Sequence, residues 1–337
     1  MLNTSSLTGL ILHLQRLSTE DGPGLRTTVF FKGCPLRCQW CHNPESISSR
    51  PEVQWIKNRC IGCYSCIEIC DHHGLVRTTD GIQRDRNVCS VCGACVEACP
   101  ANAMELLGTE ISVEDLVAEL KKDQAFFKKS GGGVTLSGGE PTLQPHFAKE
   151  LVSQLKAANV NVALDTCLLS QRQTLEALYP QIDIFLVDLK MIDPLQHERW
   201  TGAPLAPILN NLTWLANQLR QKDDLKRLWI RTPLIPGATA TLENLTGISH
   251  YLADHLSDVV ERWELCAFNN LCQDKYSRLD LNWHFADTAL MSQSDLSQAG
   301  IWAGSGGFDP QRTFVTGAAR FEVNETQENY GTNTLPQ

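Results

Sequence analysis

Cys34, Cys38 and Cys41 stand in the run Gly-Cys-Pro-Leu-Arg-Cys-Gln-Trp-Cys-His-Asn, a C-x3-C-x2-C triplet. A four-iron cluster takes four ligands, so three thiolates this close can hold it and leave one iron without a protein ligand. An open coordination position on a metal is where a substrate or cofactor binds. Zinc sites instead favour C-x2-C pairs with a partner pair elsewhere, and redox dithiols need only two cysteines. A zinc or structural site is the competing reading of the triplet.

Eight more cysteines form two matching groups. Cys60, Cys63, Cys66 and Cys70 follow C-x2-C-x2-C-x3-C, and Cys89, Cys92, Cys95 and Cys99 repeat it, with Pro100 after the last. In this bacterial ferredoxin pattern the fourth cysteine of each group ligates the other cluster. By that rule Cys60, Cys63, Cys66 and Cys99 hold one [4Fe-4S] cluster, and Cys89, Cys92, Cys95 and Cys70 hold another. Full cysteine ligation fits electron transfer and leaves no position for a substrate. A pair of zinc sites using the same eight thiolates is the alternative.

Eleven of the 14 cysteines fall in these three groups. In a chain of 337 residues with no charged-then-apolar signal at its N-terminus, that usage indicates metal binding in a reducing compartment, hence cytoplasmic, and not a disulfide framework. No apolar run is long enough to span a membrane. A net charge of −9 argues against a nucleic-acid-binding surface.

The elements that must position these residues alternate short β-rich runs with amphipathic helical stretches, which predicts parallel α/β architecture. Strands are expected near Thr27–Phe31, Gly133–Leu136, Asn161–Leu164, Ile184–Val187, Leu228–Arg231 and Arg262–Leu265. Val117, Leu120 and Phe127 space helically after the cap Ser112, Phe147, Leu151 and Leu155 recur every fourth residue, and Leu212, Leu215 and Leu219 begin a third helix. Six βα units predict a partial (β/α)6 TIM-like barrel with a ferredoxin-like two-cluster module inserted after the first strand. The expected organisation is residues 1–51 for the first strand and cluster loop, 52–103 for the insert, and 104–300 for the rest of the barrel. Residues 301–337 form a C-terminal extension whose polar tail, from Asn324, reads as disordered. Active sites of such barrels lie at the C-terminal strand ends. There the sequence places Cys34, Ser137-Gly138-Gly139-Glu140-Pro141, Asp165-Thr166, Asp188-Leu189-Lys190, Arg231 and Asn269.

The segment Asp21–Glu45, DGPGLRTTVFFKGCPLRCQWCHNPE, resembles the opening of radical S-adenosylmethionine (SAM) enzymes. Within that superfamily it is similar to the activating enzymes of glycyl radical enzymes, relatives of pyruvate formate-lyase activase. The match runs through Gly22, Gly24, Arg26, Phe30, Gly33, the three cysteines, Trp40 and Asn43, and the resemblance covers roughly residues 10–280. It implies that Gly138, Gly139 and Glu140 receive the amino group of S-adenosylmethionine. It places Asp188, Leu189 and Lys190 in an Asp-x-Lys that meets the methionine carboxylate and ribose, and Trp40, Cys41 and His42 beside the cluster and adenine. An internal Asp188–Lys190 ion pair and a structural His42 are the plainer readings. Asn269 stands where relatives carry a histidine near the ribose. Cys167, Cys266 and Cys272 have no ligand spacing and read as buried thiols.

The resemblance also implies an anaerobic oxidoreductase with three [4Fe-4S] clusters and S-adenosylmethionine. Reductive cleavage would give methionine and a 5′-deoxyadenosyl radical, which abstracts a glycine Cα hydrogen from a partner glycyl radical enzyme. A flavodoxin or ferredoxin would donate the electron; neither nucleic acid nor membrane is an expected partner. A maturase-like radical SAM enzyme acting on a peptide is the alternative, with a ferredoxin-type electron carrier behind it. The partner stays open among formate-lyases, diol dehydratases, decarboxylases and carbon–nitrogen or carbon–sulfur lyases.

Overall fold

The structure is a computed structural model that describes residues 7–221 and 225–320. Strand β1 (Thr8–Ser18) turns through Gly22-Pro23-Gly24 and pairs antiparallel with β2 (Arg26–Phe31), which is buried along its whole length. The chain then leaves the sheet. It forms β3 (Glu52–Trp55), a single turn α1 (Ser65–Glu68), a hairpin of β4 (Leu75–Thr78) and β5 (Gly81–Arg84), a second turn α2 (Ala94–Glu97), and β6 (Met104–Leu107). Strands β3 and β6 pair antiparallel with Glu52 opposite Leu107, so the excursion closes where it opens. It has a small core of its own, in which Val53, Leu75, Ile82 and Met104 surround Cys66 and Cys95.

The chain rejoins the sheet as β7 (Thr109–Ser112), antiparallel to β1, and continues into α3 (Val113–Leu120) and α4 (Gln124–Ser130). Alternation follows: β8 (Gly133–Gly138), α5 (Pro145–Ala157), β9 (Asn161–Thr166), α6 (Arg172–Leu178), β10 (Ile184–Asp188), α7 (Pro194–Thr201) and α8 (Ala206–Gln221). After these come β11 (Arg227–Leu234), α9 (Leu242–His255), β12 (Val260–Ala267), α10 (Gln273–Arg278), α11 (Gln293–Gly304) and β13 (Thr313–Thr316). The sheet order is β13-β12-β11-β10-β9-β8-β2-β1-β7. Every pairing from β2 to β13 is parallel.

This is an α/β fold with a mostly parallel central sheet. Strands covered on both faces read as unbroken apolar runs, as in Phe185-Leu186-Val187 and Val162-Ala163-Leu164, all at most 2% exposed. Helix α5 buries the stripe Phe147, Leu151 and Leu155. Ser112 caps α3 by accepting from the Asp115 N–H at 3.0 Å. The helical run through Val117, Leu120 and Phe127 breaks at Lys121–Asp123, a tighter turn. There Asp123 turns inward, accepts from the Thr27 hydroxyl at 2.7 Å and pairs with Arg16.

All six expected strands are present. Sequence reasoning missed β1, β7 and β13 of this sheet and the four short strands of the excursion; the three sheet strands are largely half-buried or exposed, so their burial pattern is weak. The tail from Asn324 lies outside the described residues. Among the described residues no helix is long and apolar enough to cross a membrane.

One ion pair joins the excursion to the sheet. The wholly buried Lys32 donates to Glu45 O at 2.8 Å and pairs with Glu52 Oε2 at 3.0 Å, while Glu52 Oε1 accepts from Arg86 at 2.9 Å. Burial lowers the Lys32 pKa and Glu52 pulls it back up. Removing one partner of a buried pair strands the other charge, at about 3 kcal/mol. We expect Glu52→Ala to lower stability by that order, measured as the fall in the anaerobic thermal unfolding midpoint.

Candidate active site

Three strand ends are tied together before any ligand is considered. The Gly139 N–H donates to Phe31 O at 2.9 Å and the Glu140 N–H to Gly33 O at 2.7 Å, so the turn after β8 grips the chain leaving β2. Gly33 and Cys34 in turn donate to Ser46 O and Ile47 O at 2.7 and 3.1 Å. The glycines are required by this approach. Gly138 has φ +102°, and a Cβ there would sit 2.5 Å from Phe31 N; a Cβ on Gly139 would sit 2.1 Å from Gly33 O. Bare backbone therefore serves first to bring the strand ends together.

Glu140 locks the third end. Fully buried, its carboxylate accepts from the Thr142 hydroxyl (2.8 Å) and N–H (3.2 Å), the Thr166 hydroxyl (2.9 Å) and the Cys167 N–H (2.8 Å). Two of these donors belong to the end of β9 and the turn after it. A buried carboxylate survives only with such hydrogen bonds.

The loop carrying Cys34, Cys38 and Cys41 docks on the end of α7, where Arg37 and Gln39 donate to Thr201 O and Trp200 O. Trp40, 5% exposed, packs on Trp200. All three thiols line one cavity of about 460 Å³ at the C-terminal ends of the parallel strands. Burial pushes the Cys34 thiol up to about 12 and raises Cys38 and Cys41 as well, so each holds its proton until a metal displaces it.

The same cavity wall carries charge. Lys190 pairs with Asp188 at 2.6 Å. Burial alone would lower the Lys190 pKa, but the Asp188 carboxylate beside it outweighs burial and raises it. Arg231 lies 3.6 Å from Asp165 and 3.4 Å from Glu264, and Ser137 donates to Asp165 at 2.5 Å. Burial raises the Asp165 pKa against the pull of Arg231. Asp165 Oδ1 and His42 Nε2 are buried without a hydrogen-bond partner, which leaves two polar atoms for a ligand to satisfy.

Of the residues expected to meet S-adenosylmethionine, the structure brings Trp40, Cys41, His42, Gly138, Gly139, Asp188, Lys190 and Asn269 to this cavity. It keeps two side chains elsewhere: the Glu140 carboxylate is spent on Thr142, Thr166 and Cys167, and Leu189 is wholly buried in the core. Cys167 and Cys266 line the cavity too, as does Thr316 of β13. Sequence reasoning gave β13 no place, because nothing in Thr-Phe-Val-Thr signals a site.

The remaining cysteines gather in the excursion. Cys60, Cys63, Cys66 and Cys99 surround one small, mostly apolar cavity; Cys70, Cys89, Cys92 and Cys95 surround a second. All 14 cysteines are free thiols. Chemically, three thiols beside an ammonium, a carboxylate pair and unsatisfied polar atoms suit an open iron–sulfur cluster and an amino-acid-bearing cofactor, and four thiols around an apolar hole suit a closed cluster.

The Radical SAM superfamily profile matches residues 28–244. The benzylsuccinate synthase activating enzyme of Thauera aromatica is 41% identical over 277 residues, covering 80% of this chain and 81% of that protein. The trans-4-hydroxy-L-proline dehydratase activating enzyme of Clostridioides difficile is 40% identical over 291 residues, covering 86% and 94%. The (2S)-3-sulfopropanediol dehydratase activating enzyme of Klebsiella oxytoca is 33% identical, covering 85% and 90%. The chain therefore belongs to the radical SAM superfamily and, within it, to the activating enzymes of glycyl radical enzymes. It is an enzyme that generates a radical through S-adenosylmethionine cleavage, and the superfamily implies a [4Fe-4S] cluster and S-adenosylmethionine as its cofactors.

Glu140 offers a test of how the site is held. Glu140→Ala leaves four donors without their acceptor, and we expect a stability loss of about 3 kcal/mol. S-adenosylmethionine affinity should fall with it, because Gly138 and Gly139 lose their anchor. Thermal unfolding and equilibrium binding measure the two effects.

Proposed function

We propose that this protein activates a partner glycyl radical enzyme, using a cluster held by Cys34, Cys38 and Cys41 and S-adenosylmethionine held beside it. The observation that carries the reading is the convergence of those three thiols, the Lys190–Asp188 pair and the Gly138-Gly139 turn on one cavity. Lys190 would pair with the cofactor's carboxylate, Asp188 accept from its ribose hydroxyls, and His42 and Asn269 flank its adenosyl part. When bound, the two groups supply reductive cleavage to methionine and a 5′-deoxyadenosyl radical, which takes a Cα hydrogen from a glycine of the partner. The chain's own work is to orient and enclose: Trp40 packs the loop, the Glu140 network fixes the floor, and the buried wall excludes water. No side-chain acid or base enters the reaction.

We assign residues 52–103 to a ferredoxin-like insert holding two further clusters, one by Cys60, Cys63, Cys66 and Cys99 and one by Cys70, Cys89, Cys92 and Cys95. The grouping of these thiols around two separate cavities supports that assignment. The sheet from which the insert departs is a partial (β/α)6 barrel extended by edge strands. The electron donor is a flavodoxin or a ferredoxin.

The experiment is anaerobic reconstitution with iron and sulfide, reduction, and addition of S-adenosylmethionine. Three four-iron clusters give about 12 irons per chain, and Cys38→Ala should hold about 8. We expect 5′-deoxyadenosine from the parent and none from Cys38→Ala. Fully loaded parent that makes no product with several reductants would overturn the function; about 4 irons per chain would overturn the insert's clusters alone.

A further inference from the structure

The short helix α10 follows β12 directly and crosses to the cysteine loop. The Lys275 ammonium donates to His42 O at 3.1 Å and Asn43 Oδ1 at 2.7 Å, and pairs with Glu45 Oε1 at 2.7 Å. An ammonium has three N–H donors, and these three acceptors use all of them. The neighbouring Tyr276 hydroxyl donates to Cys41 O at 3.0 Å. Tyr276 is 7% exposed and stacks on Trp283, which stacks on Phe268, so its hydroxyl cannot swing away.

Two adjacent side chains thus hold Cys41, His42 and Asn43, which have no regular structure of their own, and Glu45 in the short 3-10 turn that follows. On the far side Lys32 holds Glu45 O. The end of α10 is anchored as well: Arg86, three residues before Cys89, donates to Leu279 O and pairs with Glu52. Reactive constellations need their supporting residues fixed by just such outer hydrogen bonds.

We propose that Lys275 and Tyr276 are positioning residues for Cys41 and His42, forming a clasp that Arg86 ties to the segment bearing the Cys89 group. This rests on the ligand set proposed above. The clasp sets where the Cys41 thiol and the His42 ring stand relative to Lys190 and Gly138. Its loss should leave the cysteines able to load iron but let the loop open and the cofactor seat badly.

The test compares reconstituted parent with Tyr276→Phe, Lys275→Met, Lys275→Arg and, as a control on the same helix, Ser277→Ala, whose exposed hydroxyl bonds only to Gln273 O. Two readouts are independent of turnover: amide hydrogen exchange over residues 41–47, and the change in the reduced cluster's electron paramagnetic resonance spectrum on adding S-adenosylmethionine. We expect Tyr276→Phe and Lys275→Met to keep parental iron content and to speed exchange in the loop about tenfold, the worth of one lost hydrogen bond. They should also alter the cofactor-dependent spectrum and raise KM for S-adenosylmethionine more than they lower kcat. Lys275→Arg should recover most of the parental spectrum, and Ser277→Ala should match the parent throughout.

Parental spectra and KM in Tyr276→Phe would overturn the assignment, whatever the exchange rates show. So would equal effects from Ser277→Ala. If Lys275→Met fails to fold, the tyrosine variant decides alone, since it removes a single oxygen. A parent whose spectrum ignores S-adenosylmethionine would instead sink the underlying ligand set; unchanged loop exchange in the variants would still sink the clasp by itself.

Discussion

A buried carboxylate with no cation against it organises this molecule's chemistry. Glu140 sits in the interior with only hydroxyl and amide donors around it, and those donors come from the turn after β8 and the end of β9. Its own N–H reaches back to the chain leaving β2. Desolvating a charge is tolerable only while every donor stays in place. The three strand ends are consequently bound into one rigid patch, and the cysteine loop, the glycine turn and the Asp165 network all start from it. Adjacent parallel strands alone would set their spacing but not the geometry of the turns that follow them.

A second level of order is electrostatic. The cavity wall sets acid against base, Asp188 with Lys190 and Asp165 with Arg231; behind the wall Arg231 also meets Glu264, which takes Arg262 at 2.7 Å. Such a wall is strongly polar locally, and Glu20 and Asp21 add further acid to its lining. Its two cations, Lys190 and Arg231, are each held against a carboxylate, so neither is a bare buried charge before a ligand arrives.

Much of this was legible in the sequence, and unevenly so. The cysteine spacings were plain to read, and the eight later cysteines line two cavities, Cys60, Cys63, Cys66 and Cys99 one and Cys70, Cys89, Cys92 and Cys95 the other. The parallel strands announced themselves because both faces are apolar. What spacing could not show is direction. Glu140 lies in a run that resembles a cofactor-binding motif, yet its side chain turns into the core while Ser137, Gly138 and Gly139 reach the cavity. Lys275 and Tyr276 were invisible for a different reason: they act on backbone carbonyls more than 230 positions away in the chain, and a carbonyl leaves no sequence mark. β13 escaped as a four-residue edge strand with half its side chains in water.

The pairing of β3 with β6 has a consequence for how such a chain could be assembled over time. Glu52 and Leu107 face each other across one strand spacing, roughly 5 Å. Everything between them leaves and returns through a single doorway, with a separate core on the other side. A shorter ancestor could keep the sheet whole with a tight turn at that doorway, but it would lack the Arg86 bond to Leu279. The cysteine-rich segment is therefore separable cargo in the architectural sense, added or removed without re-threading the strands that lead to Cys34, Gly138 and Glu140.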